Sequence, residues 1–225
     1  MHIEPEIVTG TKLLLSYATA TVSFGLVAKS VYQSIKESGI NTLALRSLIA
    51  IICVFAFFQV LPHHPVGVSE VHLILGSTLF LILGPAAAAI GLLGGLLAQG
   101  VLFAPMDLPQ YGMNVTSLLL PLFAMSIIAR KVINNKTAYV DIKYSQALQL
   151  SLTYQGGIVA WVAFWAFYGQ GFSAENLVSV ATFSGAYLSV ILLEPIVDLA
   201  ILAAAKTLHS QKGSRLVNAR LYHAK

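Results

Sequence analysis

Pro62-His63-His64-Pro65-Val66-Gly67-Val68-Ser69-Glu70-Val71-His72-Leu73-Ile74-Leu75-Gly76 is the stretch around which the chain is organised. It holds three of the six histidines and the only acid between Glu37 and Asp107, with long apolar runs on both sides. Ionisable groups at the edge of hydrocarbon are costly and generally have a partner or a job. The flanking runs decide the fold class. Of 225 residues, 57% are hydrophobic and only 10% charged, and mean hydropathy is +0.79. Ordinary soluble domains carry about 25% charged residues. Several runs reach the ~20 apolar residues that span a bilayer, and a chain of this length cannot bury them all in a water-soluble core. The sequence therefore predicts an all-α integral membrane protein in a lipid bilayer.

Working outward, residues 1–10 form a polar tail, and apolar segments follow at 11–35, 43–61, 69–83, 86–103, 113–133, 145–168 and 177–206. This predicts a bundle of about seven transmembrane helices, one domain over residues 1–207, then a basic tail over 208–225. Pro62 and Pro65 stop the second helix. Gly84-Pro85 breaks the third, which is short for a full crossing. Gly91-x-x-x-Gly95 signals close helix packing. The small pairs Ser16/Ala20 and Thr21/Gly25 suit either internal packing or a docking face for another membrane subunit. Pro121 and Pro195 stand inside long helices. Cys53, the single cysteine, lies in an apolar run, which predicts a small buried hydrophobe and excludes an internal disulfide.

Basic residues orient the bundle. With the N-terminus outside, every lysine and arginine except Lys12 falls on the inner side, as positive-inside orientation requires. The net charge of +4 is thus a topology signal, not a nucleic-acid-binding patch. The N-terminus and the His63/His64 loop then share the outer side with His72 and the Asp107 loop, and the C-terminal tail is cytoplasmic. No basic region precedes the first apolar run, and Glu4 and Glu6 stand there instead. The expectation is a chain without a signal peptide, starting at Met1 with its amine free, because the bulky His2 disfavours removal of the methionine.

Met1 and His2 together offer an amine, an amide nitrogen and an imidazole on adjacent atoms, which can close fused chelate rings in one plane. Tetragonal nitrogen coordination favours Ni(II) or Cu(II). His72 is the first candidate for a fourth nitrogen, and His64 is the alternative or an outer ligand. Asn114, at the outer start of the fifth helix, either hydrogen-bonds an imidazole or caps the helix. Glu70, two residues from His72, points elsewhere if both lie on a helix, and would orient a partner or cap that helix. Glu194 and Asp198, four apart on the last helix, suit a structural pairing with Lys29 or Lys206, or a proton relay. No phosphate-binding Gly-rich loop, His-Glu-x-x-His or Gly-x-Ser-x-Gly is present, so no ATP-binding or hydrolytic device of those kinds is expected in this chain.

Met1-His2-Ile3, the segment Val68 to Gly76, Leu83-Gly84-Pro85 and Asn114-Val115-Thr116-Ser117 resemble, in order and spacing, the CbiM/NikM family. These are the substrate-capture membrane subunits of energy-coupling factor transporters for nickel and cobalt. The resemblance implies an N-terminal tail folded into the outer side of the bundle. It implies a metal held by the Met1 amine, the His2 amide and imidazole and His72, with Asn114 nearby. Ni(II) or Co(II) would be transported substrate rather than a catalytic cofactor, and the chain no enzyme. Partners would be a transmembrane coupling subunit, two cytoplasmic ATP-binding subunits and, in some members, a small accessory membrane subunit. The location would be a bacterial or archaeal cell membrane. The chain departs from the family pattern at Glu4-Pro5-Glu6, Glu70 and Leu118-Leu119, around the ligands rather than at them. The alternative from another class is a stand-alone proton-coupled secondary metal carrier that uses Glu194 and Asp198.

Overall fold

The computed structural model describes residues 3, 4, 6–208 and 213–223. Seven helices follow in order: α1 Leu13–Ser38, α2 Ile40–Gln59, α3 Gly76–Leu83, α4 Pro85–Leu102, α5 Tyr111–Val132, α6 Tyr144–Gln170 and α7 Ala174–Thr207. All but α3 are long and apolar enough to cross a membrane. At 1.5 Å per residue, the eight residues of α3 extend only about 12 Å. The predicted bundle with a short third helix is therefore the observed one. Between α2 and α3 lies a small antiparallel hairpin, β1 (His64–Val66) and β2 (Ser69–Val71).

Small residues decide where helices meet. A Cβ on Gly91 would lie 2.4 Å from the Cβ of Ala50, and one on Gly95 would lie 2.5 Å from Cγ1 of Val54. Such distances exist only because α4 presents bare backbone to α2, the packing mode of small-x-x-x-small faces. The small residues of α1 divide. Ser16 and Ala20 are buried with Ser23 and Val27, while Thr21 and Gly25 face outward. Gly84 has φ +90°, open to glycine at little cost, and Pro85 starts α4 at a position that needs no N–H donor. Together they turn the chain out of α3. α5 is the most enclosed span and α1 the least.

The carboxylates of α7 correct an expectation. Glu194 and Asp198 are buried, but neither pairs with Lys29 or Lys206. Lys206 instead meets Asp141 at 2.5 Å. Ser151 Oγ and Gln155 Nε2, both on α6, each donate to Glu194 Oε2 at 3.0 Å. On α3, Ser77 Oγ donates to Asp198 Oδ2 at 2.7 Å, and Thr78 Oγ1 donates to Asp198 Oδ1. The lysine stems of the helix ends do not reach this depth, whereas hydroxyls and an amide on facing helices do. α7 is thereby tied to both α3 and α6.

The segment 213–223 folds back onto the bundle. Asn218 N–H donates to Ile82 O at 2.6 Å, and Arg220 Nη2 donates to the carbonyls of Ile133 and Asn134 at 3.0 and 2.9 Å. Leu221 is buried.

Candidate metal centre

The site differs from the sequence reading in its local structure. Residues 69–75, expected as the start of the third helix, are a strand followed by an irregular segment, and the helix begins at Gly76. The cause is Gly67. Its φ of +61° lets Gly67-Val68 turn β1 back onto β2 in two residues, and glycine at the first central position suits a tight hairpin turn. No side chain fits there, since a Cβ would lie 2.1 Å from Ser179 O on α7. The hairpin therefore rests directly on the backbone of α7. Leu75 then takes a left-handed φ of +54°, uncommon for a bulky residue, as the chain enters α3.

Extended backbone changes who meets whom. Residues two apart share a face of a strand, so Glu70 points with His72 rather than away from it. Glu70 Oε2 and His72 Nε2 lie 2.9 Å apart. This overturns the helical expectation for Glu70. His72 is buried at 1% exposure while Glu70 keeps contact with the surface at 25%. The His72 imidazole is held between two rings. His63 stacks on it at 5.0 Å between centroids and 12° between planes, and Phe58 of α2 lies at 4.9 Å, tilted by 56°. His64, weighed as the alternative ligand, is exposed in β1 opposite Val71. The structure brings His63, not His64, to His72. The alternation of strand faces separates the two neighbours, which composition alone cannot do.

The N-terminal tail enters the same place. Ile3 bridges antiparallel to Ser69, and its N–H donates to Asn114 Oδ1 at 2.9 Å in a buried setting. Glu4 N–H reaches Val68 O at 3.4 Å. Ile3, Ile7 and Val8 are buried. Burying three such side chains is worth at most on the order of 5–9 kcal/mol, before the cost of ordering the tail. Further along, the tail crosses α6 at Gly169, where a Cβ would lie 1.9 Å from Ile7 O. Lys12 Nζ donates to Gly169 O at 2.9 Å. Asn114 thus neither caps α5 nor touches a described imidazole; it holds the tail by its backbone. Gly169 and Phe58 carried no sequence signal, because a lone glycine or phenylalanine in an apolar helix reads as packing. Met1 and His2, two of the three expected ligands, lie outside the described residues.

Acids gather at this end of the bundle. Burial raises the Glu4 carboxyl above its ordinary range, and the charges of Glu70, Asp107 and Glu6 raise it further. Like negative charges gathered on one surface attract cations from solution. Among the described residues alone, no group of three or more histidine, cysteine or acidic side chains is arranged to hold a metal ion. His72 is the buried nitrogen donor present, and any complete ligand set needs further donors.

Residues 2–211 match the model of the CbiM family, described as a cobalt uptake substrate-specific transmembrane region. Two solved structures share the fold. One, a truncated transition metal transporter, aligns with a TM-score of 0.69 at 17% identity over 93% of this chain and 100% of that one. The other, a transition metal transporter, aligns at 0.67 and 19% identity, covering 92% and 93%. No curated protein matches.

Proposed function

The chain belongs to the CbiM family, and from that premise we propose that it is the substrate-binding membrane subunit of an ATP-driven energy-coupling factor importer for Ni(II) or Co(II). The observation that carries this reading is the seating of Ile3. Its bridge to Ser69 and its bond to Asn114 hold the tail against the strand that leads into His72. An antiparallel continuation ahead of Ile3 would take Met1 and His2 along β2 toward Glu70 and His72. Two residues reach about 7 Å, enough to bring an amine, an amide nitrogen and an imidazole to the buried His72 nitrogen.

In this reading Met1, His2 and His72 supply the nitrogens, a set suited to tetragonal Ni(II). Glu70 orients the His72 ring by hydrogen bond, as carboxylates beside ligating histidines do. Phe58 and His63 keep the imidazole from rotating. Asn114 sets the register of the tail, so the amine arrives at one fixed distance. The cation itself is cargo. The chain performs no catalysis; ATP is hydrolysed on two cytoplasmic partner subunits, joined through a transmembrane coupling subunit, with a small accessory membrane subunit in some systems. The N-terminus faces outside and the C-terminus the cytoplasm of a bacterial or archaeal cell.

The test is titration calorimetry of purified protein with Ni(II) and with Co(II), beside a variant with a leucine and a glutamine inserted after Met1. The bulky leucine keeps the methionine on the chain, and two inserted residues separate the amine from the His2 amide and imidazole, so the fused chelate is broken while every native side chain is kept. Binding should be lost in the insertion variant and in His72→Ala. Unchanged affinity in the insertion variant would refute an amine-led site.

A further inference from the structure

At the opposite end of the bundle, the α1–α2 turn and the returning segment 213–223 enclose a cavity of about 410 Å³. Arg46 of α2 lines it and is 8% exposed. Its Nε donates to Arg215 O at 2.8 Å and its Nη2 donates to Val217 O. Among the described residues no hydrogen bond engages Nη1, and no carboxylate pairs with this guanidinium. A buried charge held only by neutral carbonyls is costly unless a counter-charge arrives. Arg215, His223 and Thr42 line the same cavity, and Glu37 is the one acid among its walls. Beside it α1 ends at Ser38 and α2 begins at Ile40, so the opposed helix termini offset each other and the side chains set the charge of the cavity.

We propose that this cavity binds the phosphate group of an anionic phospholipid. Arg46 supplies the buried guanidinium, Arg215 a second one at the mouth, and Thr42 a hydroxyl donor. A soluble phosphate compound presents the same chemistry, but the surroundings favour a lipid. Ile40 and Leu216 expose 64% and 40% of their surface next to the cavity, apolar ground on which acyl chains lie. Basic pockets between membrane helices are an established setting for anionic headgroups.

Thermal unfolding of the full chain in neutral detergent, followed by tryptophan fluorescence, tests it. The added probes are phosphatidylglycerol, phosphatidylcholine and inorganic phosphate. Phosphatidylglycerol should raise the midpoint, while phosphatidylcholine and inorganic phosphate at equal concentration should not. Arg215→Gln removes a charge whose side chain makes no hydrogen bond or ion pair among the described residues, since Arg46 bonds to the backbone carbonyl there. It should weaken phosphatidylglycerol binding about fivefold, the worth of one basic residue at an anionic headgroup. Glu37→Gln should strengthen it. Native mass spectrometry counts the retained lipid in the same variants. An equal phosphatidylglycerol effect in wild type, Arg215→Gln and Glu37→Gln would overturn the site, and an inorganic phosphate effect matching that of phosphatidylglycerol would overturn the lipid as its source.

Discussion

Asn114→Leu isolates the contact that seats the tail. Leucine has a similar shape, so α5 stays filled, but the acceptor for Ile3 N–H disappears. A buried backbone N–H left without a partner costs about 1–3 kcal/mol. Since 1.4 kcal/mol is a factor of ten in an equilibrium, the docked tail becomes about 5- to 150-fold less favoured. Ile3, Ile7 and Val8 remain buried in the docked state and keep part of the population there. Metal affinity falls with the fraction of molecules whose tail is docked, so Ni(II) or Co(II) affinity should fall by up to about 5- to 150-fold, the full factor being reached when the docked state becomes the minor one. Asn114→Asp keeps an acceptor oxygen and should lose much less. Titration calorimetry reads the affinities, and circular dichroism melting confirms that both variants retain the bundle. Wild-type affinity in Asn114→Leu would show that tail docking through Ile3 does not govern the site.

Three further outcomes follow from the geometry. Gly169→Ala places a Cβ 1.9 Å from Ile7 O; the tail must lift, and metal affinity should drop at least tenfold while the melting midpoint moves little. Gly91→Val forces α4 from the backbone of Ala50 and should destabilise the bundle by about 1–3 kcal/mol in detergent melts; a melt equal to wild type would contradict the α2–α4 packing. Glu194→Leu strips Gln155 of its acceptor, while Ser151 keeps Ile191 O, and should destabilise by about 1–3 kcal/mol, whereas Glu194→Gln should leave metal affinity unchanged. Proton-driven metal uptake by the chain alone, abolished by Glu194→Gln, would instead establish the secondary-carrier reading.

The arrangement places two buried polar systems on the same helix pair. The hairpin that ends in His72 rests on α7 at Ser179, and the helix that follows it, α3, is tied to α7 through Asp198. α3 thus links the hairpin to α7 by covalent connection on one side and hydrogen bonds on the other.

Composition and periodicity alone determined that this chain lives in a membrane, that its helices number seven with a short third, and that histidines gather near one end. Those features are local: a run of apolar residues must span hydrocarbon wherever its neighbours lie, and Gly84-Pro85 breaks a helix in any context. Met1, His2, His72 and Asn114 stood out as a group through their resemblance to the family pattern; of these the structure describes His72, which follows β2, and Asn114, which holds Ile3 against it, while Met1 and His2 lie outside the described residues. What only the tertiary structure decided is which side chains face each other. Residues 69–75 read as helix because apolar periodicity over seven residues does not separate a strand from a helical turn. The hairpin turn at Gly67 and its seat on α7 settle that ambiguity. With strand geometry in place, Glu70 turns toward His72, His63 replaces His64 beside it, and Ile3 meets Asn114 from 111 residues away. The carboxylates of α7 likewise found hydroxyl and amide donors rather than lysines. Long-range pairing of this kind depends on the packing of whole helices, and no local pattern encodes it.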